Sequence, residues 1–344
     1  MPCGFVRSSD RFPVAIGDPN LLNLMLAYSA SHRARYLEHP EPANRIAHWV
    51  SDVFPTLRLA LEGPHENITD SHLATAIMLL SLKIISPSTF EVPIPWQSHL
   101  KLARDLFFAR GGEQIATTRV GAFLARWLGY LDTMGVLSCR HSEPPFPSMI
   151  YCDGVASPDD LYVDCFSGYT PRTGRFLLRL GQLTHRCDNE RFDEAGRLIY
   201  RVWNPSNDIV SSAHSLLAEF GNLDEAARVA PDHYRDSFEA EEFLSINQAY
   251  HCAGLLQLHR RALGLPSQAP VVVQALDGLV AALRRIEPGC VAEVGVLFPL
   301  FTAGCETHDP QLRAEIMSRI TSLERTGMKQ VSILLILFSI RLGD

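Results

Sequence analysis

The chain has 344 residues, of which 47% are hydrophobic and 20% charged, and it carries a formal net charge of -7. This is the composition of a globular chain rather than a disordered one, long enough to fold without disulfides or a structural metal. The negative balance argues against a nucleic-acid surface on this polypeptide, since Lys83, Lys101 and Lys329 are its only lysines and no Lys/Arg block occurs.

The predicted elements are helical almost throughout. Asp18 and Pro19 supply an N-cap and a first-turn proline for a helix running to about Leu37. A second helix is expected over 43–62 with a bend at Pro55. A third, capped by Thr69 or Asp70, runs through LATAIMLLSLKII and ends by Pro87. The segment Trp96 to Gly112 is amphipathic: Leu100, Ala103, Leu106 and Phe107 share one face, and Arg104 and Asp105 lie off it. Arg110 then places a cation in the last turn, and Gly111-Gly112 offers a left-handed stop. A fifth helix spans Val120 to Leu137.

From Cys139 to Pro171 the periodicity fails. Pro144, Pro145, Pro147 and Pro158 interrupt this stretch and Pro171 closes it, so a lid, a linker or a disordered loop is expected. Helical patterning returns at Arg172–Cys187, near 190–203, and at 207–220. A long run from Phe238 to Leu263 follows, then helices over 268–287, 291–305, 309–326 and 329–341. There is no strand pair and no fixed-period repeat. The fold class is all-α, with antiparallel helices packed in layers. Its organisation reads as an N-terminal tail (1–17), a helical half (18–138), a loop or linker (139–171), a second helical half (172–330) and an atypical apolar tail (331–344).

Eight cysteines, at positions 3, 139, 152, 165, 187, 252, 290 and 305, form no CxxC pair and no zinc-finger spacing, so reduced intracellular thiols are expected. The start has no secretory core, and Val331 to Ile340 is apolar over only ten residues, half of a membrane crossing. Asn67-Ile68-Thr69 is a formal glycosylation acceptor without meaning inside the cell.

Candidate chemistry is sparse. Asp159, Asp160 and Asp164 could in principle hold magnesium around a diphosphate, as in an all-α class I terpene synthase, with Asn207, Asp208 and Ser211 as a second motif. The second motif has Ser215 where glutamate is required, and the two stand too close in sequence. Turn-forming aspartates and a helix cap at Asn207 or Asp208 account for them better. Gly168 to Gly174 fails the P-loop spacing, His65-Glu66 lacks a second histidine, and no Gly-x-Ser-x-Gly elbow exists. His251 and Cys252 point about 100 degrees apart on a helix. The histidines at 32, 39, 48, 185, 214, 233 and 259 are scattered surface or core residues, and Trp49, Trp127 and Trp203 are read as core. Arg260-Arg261 and Arg284-Arg285 are read as helix-surface charges.

Four blocks carry a family signal. They are Pro19 to Tyr36 with its small-residue run Ala27 to His32; Trp96 to Gly112; Leu258 to Pro266; and Leu297 to Glu306, followed by Arg313 and a helix ending at Gly327-Met328. In this order, across most of 18–330, they make the chain resemble the regulatory region C-terminal to the zinc binuclear cluster in fungal-specific transcription factors. The marker positions are Trp96, His99, Arg110, Gly111, Gly112, His259, Arg260, Gly304 and Cys305, as packing residues; no catalytic, cofactor-binding or metal residue is expected.

The resemblance implies a nuclear regulator of RNA polymerase II transcription. It also implies a homodimer and contacts with transcriptional machinery or regulatory proteins, and no membrane. Zinc and DNA contact belong to the family's six-cysteine module, which this sequence lacks, so no cofactor is expected in this chain. The C-terminal VSILLILFSIRLGD also departs from the family's amphipathic helix, and a truncated gene model or a read-through splice site would account for both ends. The alternatives are a helical scaffold that binds a protein or small molecule without touching DNA and, third, the terpene-synthase-like enzyme.

Overall fold

Asp18 starts the first helix, α1 (Pro19–Tyr36), by accepting hydrogen bonds on its carboxylate from the N–H groups of Asn20 and Leu21. In the computed structural model, residues 17–85, 96–138, 158–193, 195–200, 203–221, 227–229, 237–288 and 291–325 are described. Among them there is no strand, only the isolated bridges Tyr162 to Arg228 and Phe192 to Leu198. The protein is all-α. The described residues within Val6–Leu131 and Ile320–Asp344 form one compact unit, and those within Asp132–Arg319 form another.

In the first unit, α1 packs on α2 (Ala43–Val50) and on α4 (Asp70–Ile85). The buried face of α1 includes Ala27, Ser31 and Ala34, small side chains that let its neighbours approach closely. The expected bend at Pro55 is instead a break: α2 ends at Val50 and α3 (Val53–Glu62) begins after Ser51-Asp52. In a continuous helix, the Pro55 ring would meet the Ser51 carbonyl and leave it without a donor; at the third position of a new helix it costs nothing.

Thr69, not Asp70, caps α4. Its hydroxyl accepts from the His72 N–H at 3.4 Å while His72 Nδ1 accepts from the Thr69 N–H at 3.1 Å, a capping box with histidine in the acceptor role. Leu73, Ala76, Ile77, Leu79, Leu80 and Leu82 are all buried, so α4 is covered nearly all round. It packs on α5 (Trp96–Ala109) and α3. Pro87 lies outside the described residues.

A 3-10 turn, Gly112–Thr117, leads into α6 (Arg119–Ser138), and the division between the units falls inside α6. The turn lies so close to α6 that a Cβ at Gly121 would stand 2.0 Å from the Ile115 carbonyl oxygen. Backbone, not a flexible side chain, blocks that space. Gly121→Ala is therefore expected to cost about 1–3 kcal/mol in urea unfolding, and a loss below a few tenths would contradict the close approach.

The second unit is built on α9 (Ser237–Gln257), which contacts α7 (Pro171–Arg191), α10 (Pro270–Arg284) and α11 (Leu297–Glu306). Gly254 admits Phe176 and Leu177 of α7, where a Cβ would meet Phe176 at 2.5 Å. Tyr250 of α9 sits edge-on to Tyr169, stacks on Phe298 and donates to the Gly295 carbonyl. The helix α8 (Asn207–Phe220) lays Ile209, Ala213, Leu216 and Phe220 inward and packs on α7. Its cap is Ser206, whose hydroxyl accepts from the Ile209 N–H, not Asn207 or Asp208.

Three expected helices are altered here, and the one over 291–305 opens as a 3-10 segment, Val291–Val296, before α11. Of the segment near 190–203, Glu190 and Arg191 end α7, and the described residues beyond them are not helical. Asp193 accepts from the Gly196 N–H on its carbonyl and from the Arg197 N–H on its carboxylate, and Gly196 has φ +79°. Aspartate first and glycine fourth is turn chemistry, and it overrides the apolar periodicity. The run from Phe238 to Leu263 ends in one π-helical turn, Leu258–Ala262, before Gly264 reverses the chain at φ +65°. The final described helix is α12 (Pro310–Arg325); the expected helix over 329–341, the apolar tail and residues 139–157 of the expected loop lie outside the described residues. Within the described part of that loop, Pro158–Leu161 is a 3-10 turn, and α7 begins at Pro171.

Candidate functional site

The marker positions of the first unit lie along α5 and its exit. Trp96 is half-buried at the first position of α5, and His99 is buried three residues on, its ring tilted against Phe54 of α3 at 5.7 Å. Burial, followed by the nearby Lys83 ammonium, pushes the His99 imidazole down to about 4. Arg104, placed off the apolar stripe by its spacing, is in fact buried, whereas Asp105 is exposed and pairs with Lys101. Arg110 reaches Asp70 at the start of α4, 3.4 Å away.

Gly111 has φ +114° and Gly112 φ +56°. The stop is therefore two consecutive residues in the left-handed half of the map. Gly111→Val leaves room around the new side chain but forces a β-branched residue to positive φ, for an expected loss of about 1 kcal/mol or more. Thermal unfolding would measure it, and an unchanged midpoint would refute the strain.

In the second unit the π-helical turn brings two sequence blocks together. Arg260 donates to the Glu306 carboxylate at 2.6 Å and to the Leu265 carbonyl, tying Leu258–Ala262 to the end of α11 beside Gly304 and Cys305. Arg261 pairs with Asp188 of α7 and donates to the Leu137 carbonyl. This pair of arginines is thus internal bracing rather than a surface charge pair, while Arg284 is the exposed one, paired with Glu315. His259 is buried, and burial lowers its proton affinity. Gly304 is buried and Cys305 half-buried.

None of this arrangement resembles a catalytic constellation. Asp160 pairs with Arg175 at 2.9 Å, and Asp164 accepts from the N–H groups of Phe166 and Ser167 in an Asx turn. Asp208 of α8 pairs with Arg186 of α7. Among the described residues no group of three or more His, Cys, Asp or Glu side chains is placed to hold a metal ion. Burial raises the Cys187 thiol to about 12, which leaves it protonated and inert at neutral pH. Trp49, Trp127 and Trp203 are half-buried rather than core, carrying Arg45, Phe123 and Arg191 against their rings.

The sequence did not disclose a buried ion pair. Glu293 is fully buried and Arg319 is 7% exposed; Arg319 Nε donates to Glu293 at 2.6 Å, Nη1 to the Leu283 carbonyl at 2.6 Å, and Nη2 to the Ile286 carbonyl at 3.2 Å. No local pattern links positions 26 residues apart in a chain without alternation to guide pairing.

The helices and their charged braces thus define an all-α module, and no described helix is long and apolar enough to cross a membrane. The sequence model of the fungal specific transcription factor domain matches residues 9–337, and the chain belongs to that family. It is a transcription regulator of the fungal-specific class. No curated protein matches the chain, and no solved structure does.

Proposed function

We propose that this chain is the regulatory domain of a nuclear transcription factor of the zinc-cluster type, acting on RNA polymerase II transcription. Sequence-specific DNA contact belongs to a zinc-binding module outside the residues described here, and this domain sets the activity of the whole. The family match over 9–337 carries the reading. The charge pattern supports the division of labour: the net charge is -7, and arginines such as Arg260, Arg261 and Arg319 are spent on internal carboxylates and carbonyls instead of a phosphate-facing surface. Its regulatory partners, including a second copy of the chain, belong to the same proposal.

Two experiments test it. The isolated domain is expected to show no sequence-specific DNA shift at moderate salt, and tight specific binding would overturn the assignment of DNA contact. Fused to a heterologous DNA-binding domain in a fungal host, it is expected to change reporter output by activation or restraint. An unchanged reporter with the fusion intact in the nucleus would sink the regulatory reading.

A further inference from the structure

An arginine row runs down α7. Arg179 and Arg186 are seven residues apart, which sets them on nearly the same helix face about 10 Å apart along its axis. Both face α8 across an open groove of about 510 Å³, with Ser212 and Ser215 on its wall and the buried Leu183 and Leu216 at its base. That volume lies within the usual range for small-molecule sites.

The two guanidinium groups are held in place. Arg179 lies over the Phe220 ring at 5.3 Å, and its Nη1 donates to Glu219 at 2.5 Å. Arg186 donates from Nη1 to Asp208 at 2.7 Å and from Nη2 to the Ser212 hydroxyl at 2.9 Å. The carboxylates are less fixed: the side chains of Asp208 and Glu219 are 75% and 52% exposed, against 47% and 36% for their arginines. Ion pairs this open are worth about 0–1 kcal/mol, so a competing anion displaces them at little cost. A guanidinium has five donors in a fixed fork that matches phosphate geometry, and a serine hydroxyl beside one fork adds a further donor.

From this we infer that the α7–α8 groove binds a small molecule carrying two phosphate groups, one on Arg179 and one on Arg186 with Ser212. Asp208 and Glu219 act as placeholders that close the arginines in its absence. The site is independent of the transcriptional reading above, because it rests on the groove alone.

Inorganic tripolyphosphate and inorganic phosphate, titrated calorimetrically into the full chain at low ionic strength, test the inference. Tripolyphosphate is expected to bind about tenfold more tightly than phosphate, because it engages both forks. Arg179→Gln and Arg186→Gln are each expected to weaken it about tenfold, whereas Arg284→Gln, an equal charge loss at an exposed pair elsewhere, leaves it unchanged. Asp208→Asn removes a placeholder and is expected to tighten binding. Should an arginine variant fail to fold, Ser212→Asp sets a carboxylate against the Arg186 fork and is expected to weaken binding about tenfold. No tripolyphosphate binding at millimolar concentration, loss at Arg284→Gln equal to that at Arg186→Gln, or full binding by Ser212→Asp would each overturn the site.

Discussion

Arg319→Leu is expected to destabilise the protein by about 3–5 kcal/mol, the largest single-residue loss outside gross overpacking. The reason is what remains behind. Glu293 has no exposed surface, and without the guanidinium it becomes a buried carboxylate lacking its cation. The same substitution removes the side-chain donor to the Ile286 carbonyl, just past the C-terminal end of α10, and one of the donors to the Leu283 carbonyl, which keeps the Ile286 N–H. A cation there also answers the helix dipole.

The buried pair itself is a poor source of net stability, because desolvating two charges offsets most of their attraction. The double variant Arg319→Leu with Glu293→Leu is therefore expected to recover a good part of the loss. It should not recover all of it, since the Ile286 carbonyl still lacks its guanidinium donor, at about 1 kcal/mol. Urea unfolding followed by far-ultraviolet circular dichroism measures this cycle. Single and double losses that simply add would show that the pair is not coupled, and a single loss under 1 kcal/mol would show that water reaches it.

How far the sequence foretold the structure depended on the range of the signal. Elements set by local chemistry were readable: Asp18-Pro19 gave the start of α1, the bounds of α8 were read as 207–220, and Gly111-Gly112 marked a stop that the backbone realises at φ +114° and +56°. Local signals also explain two errors. The 43–62 reading took Pro55 as a bend, although its effect on the carbonyl four residues earlier forces a full break. The 190–203 reading followed hydrophobic spacing past Asp193 and Gly196, whose turn chemistry was equally visible. Relations between distant residues were out of reach. Arg260 with Glu306, Arg261 with Asp188 and Arg319 with Glu293 pair across 46, 73 and 26 positions, and helical periodicity says which face a residue takes but not which helix meets it. The α7–α8 groove belongs to the same class: nothing in the local pattern links Arg179 and Arg186 to Ser212 until two helices set them face to face.

Acidification is expected to destabilise the first unit through His99. In the folded chain this imidazole is held at about 4 by burial and, secondarily, by Lys83, against an ordinary value of 6.5. Between those two values the unfolded chain binds a proton that the folded chain refuses, so stability falls as pH falls. The neutral-histidine contribution is fully present above about pH 6.5 and is lost progressively down to about pH 4. Its size is about 3 kcal/mol, with no reduction for solvent screening because the side chain is only 2% exposed. Burial shifts His259 the same way in the second unit, and carboxylates in ion pairs steepen any acid profile, so the wild-type slope alone does not isolate His99. His99→Phe does, because it keeps a flat apolar ring against Phe54 while removing the titrating group. Tryptophan fluorescence suits the measurement, as Trp49, Trp96 and Trp127 all lie in the first unit. The variant is expected to lose much less stability than the wild type between pH 7 and pH 4.5. Parallel profiles for the two proteins would mean that His99 accepts its proton in place, with the surrounding α3, α4 and α5 side chains yielding to the charge.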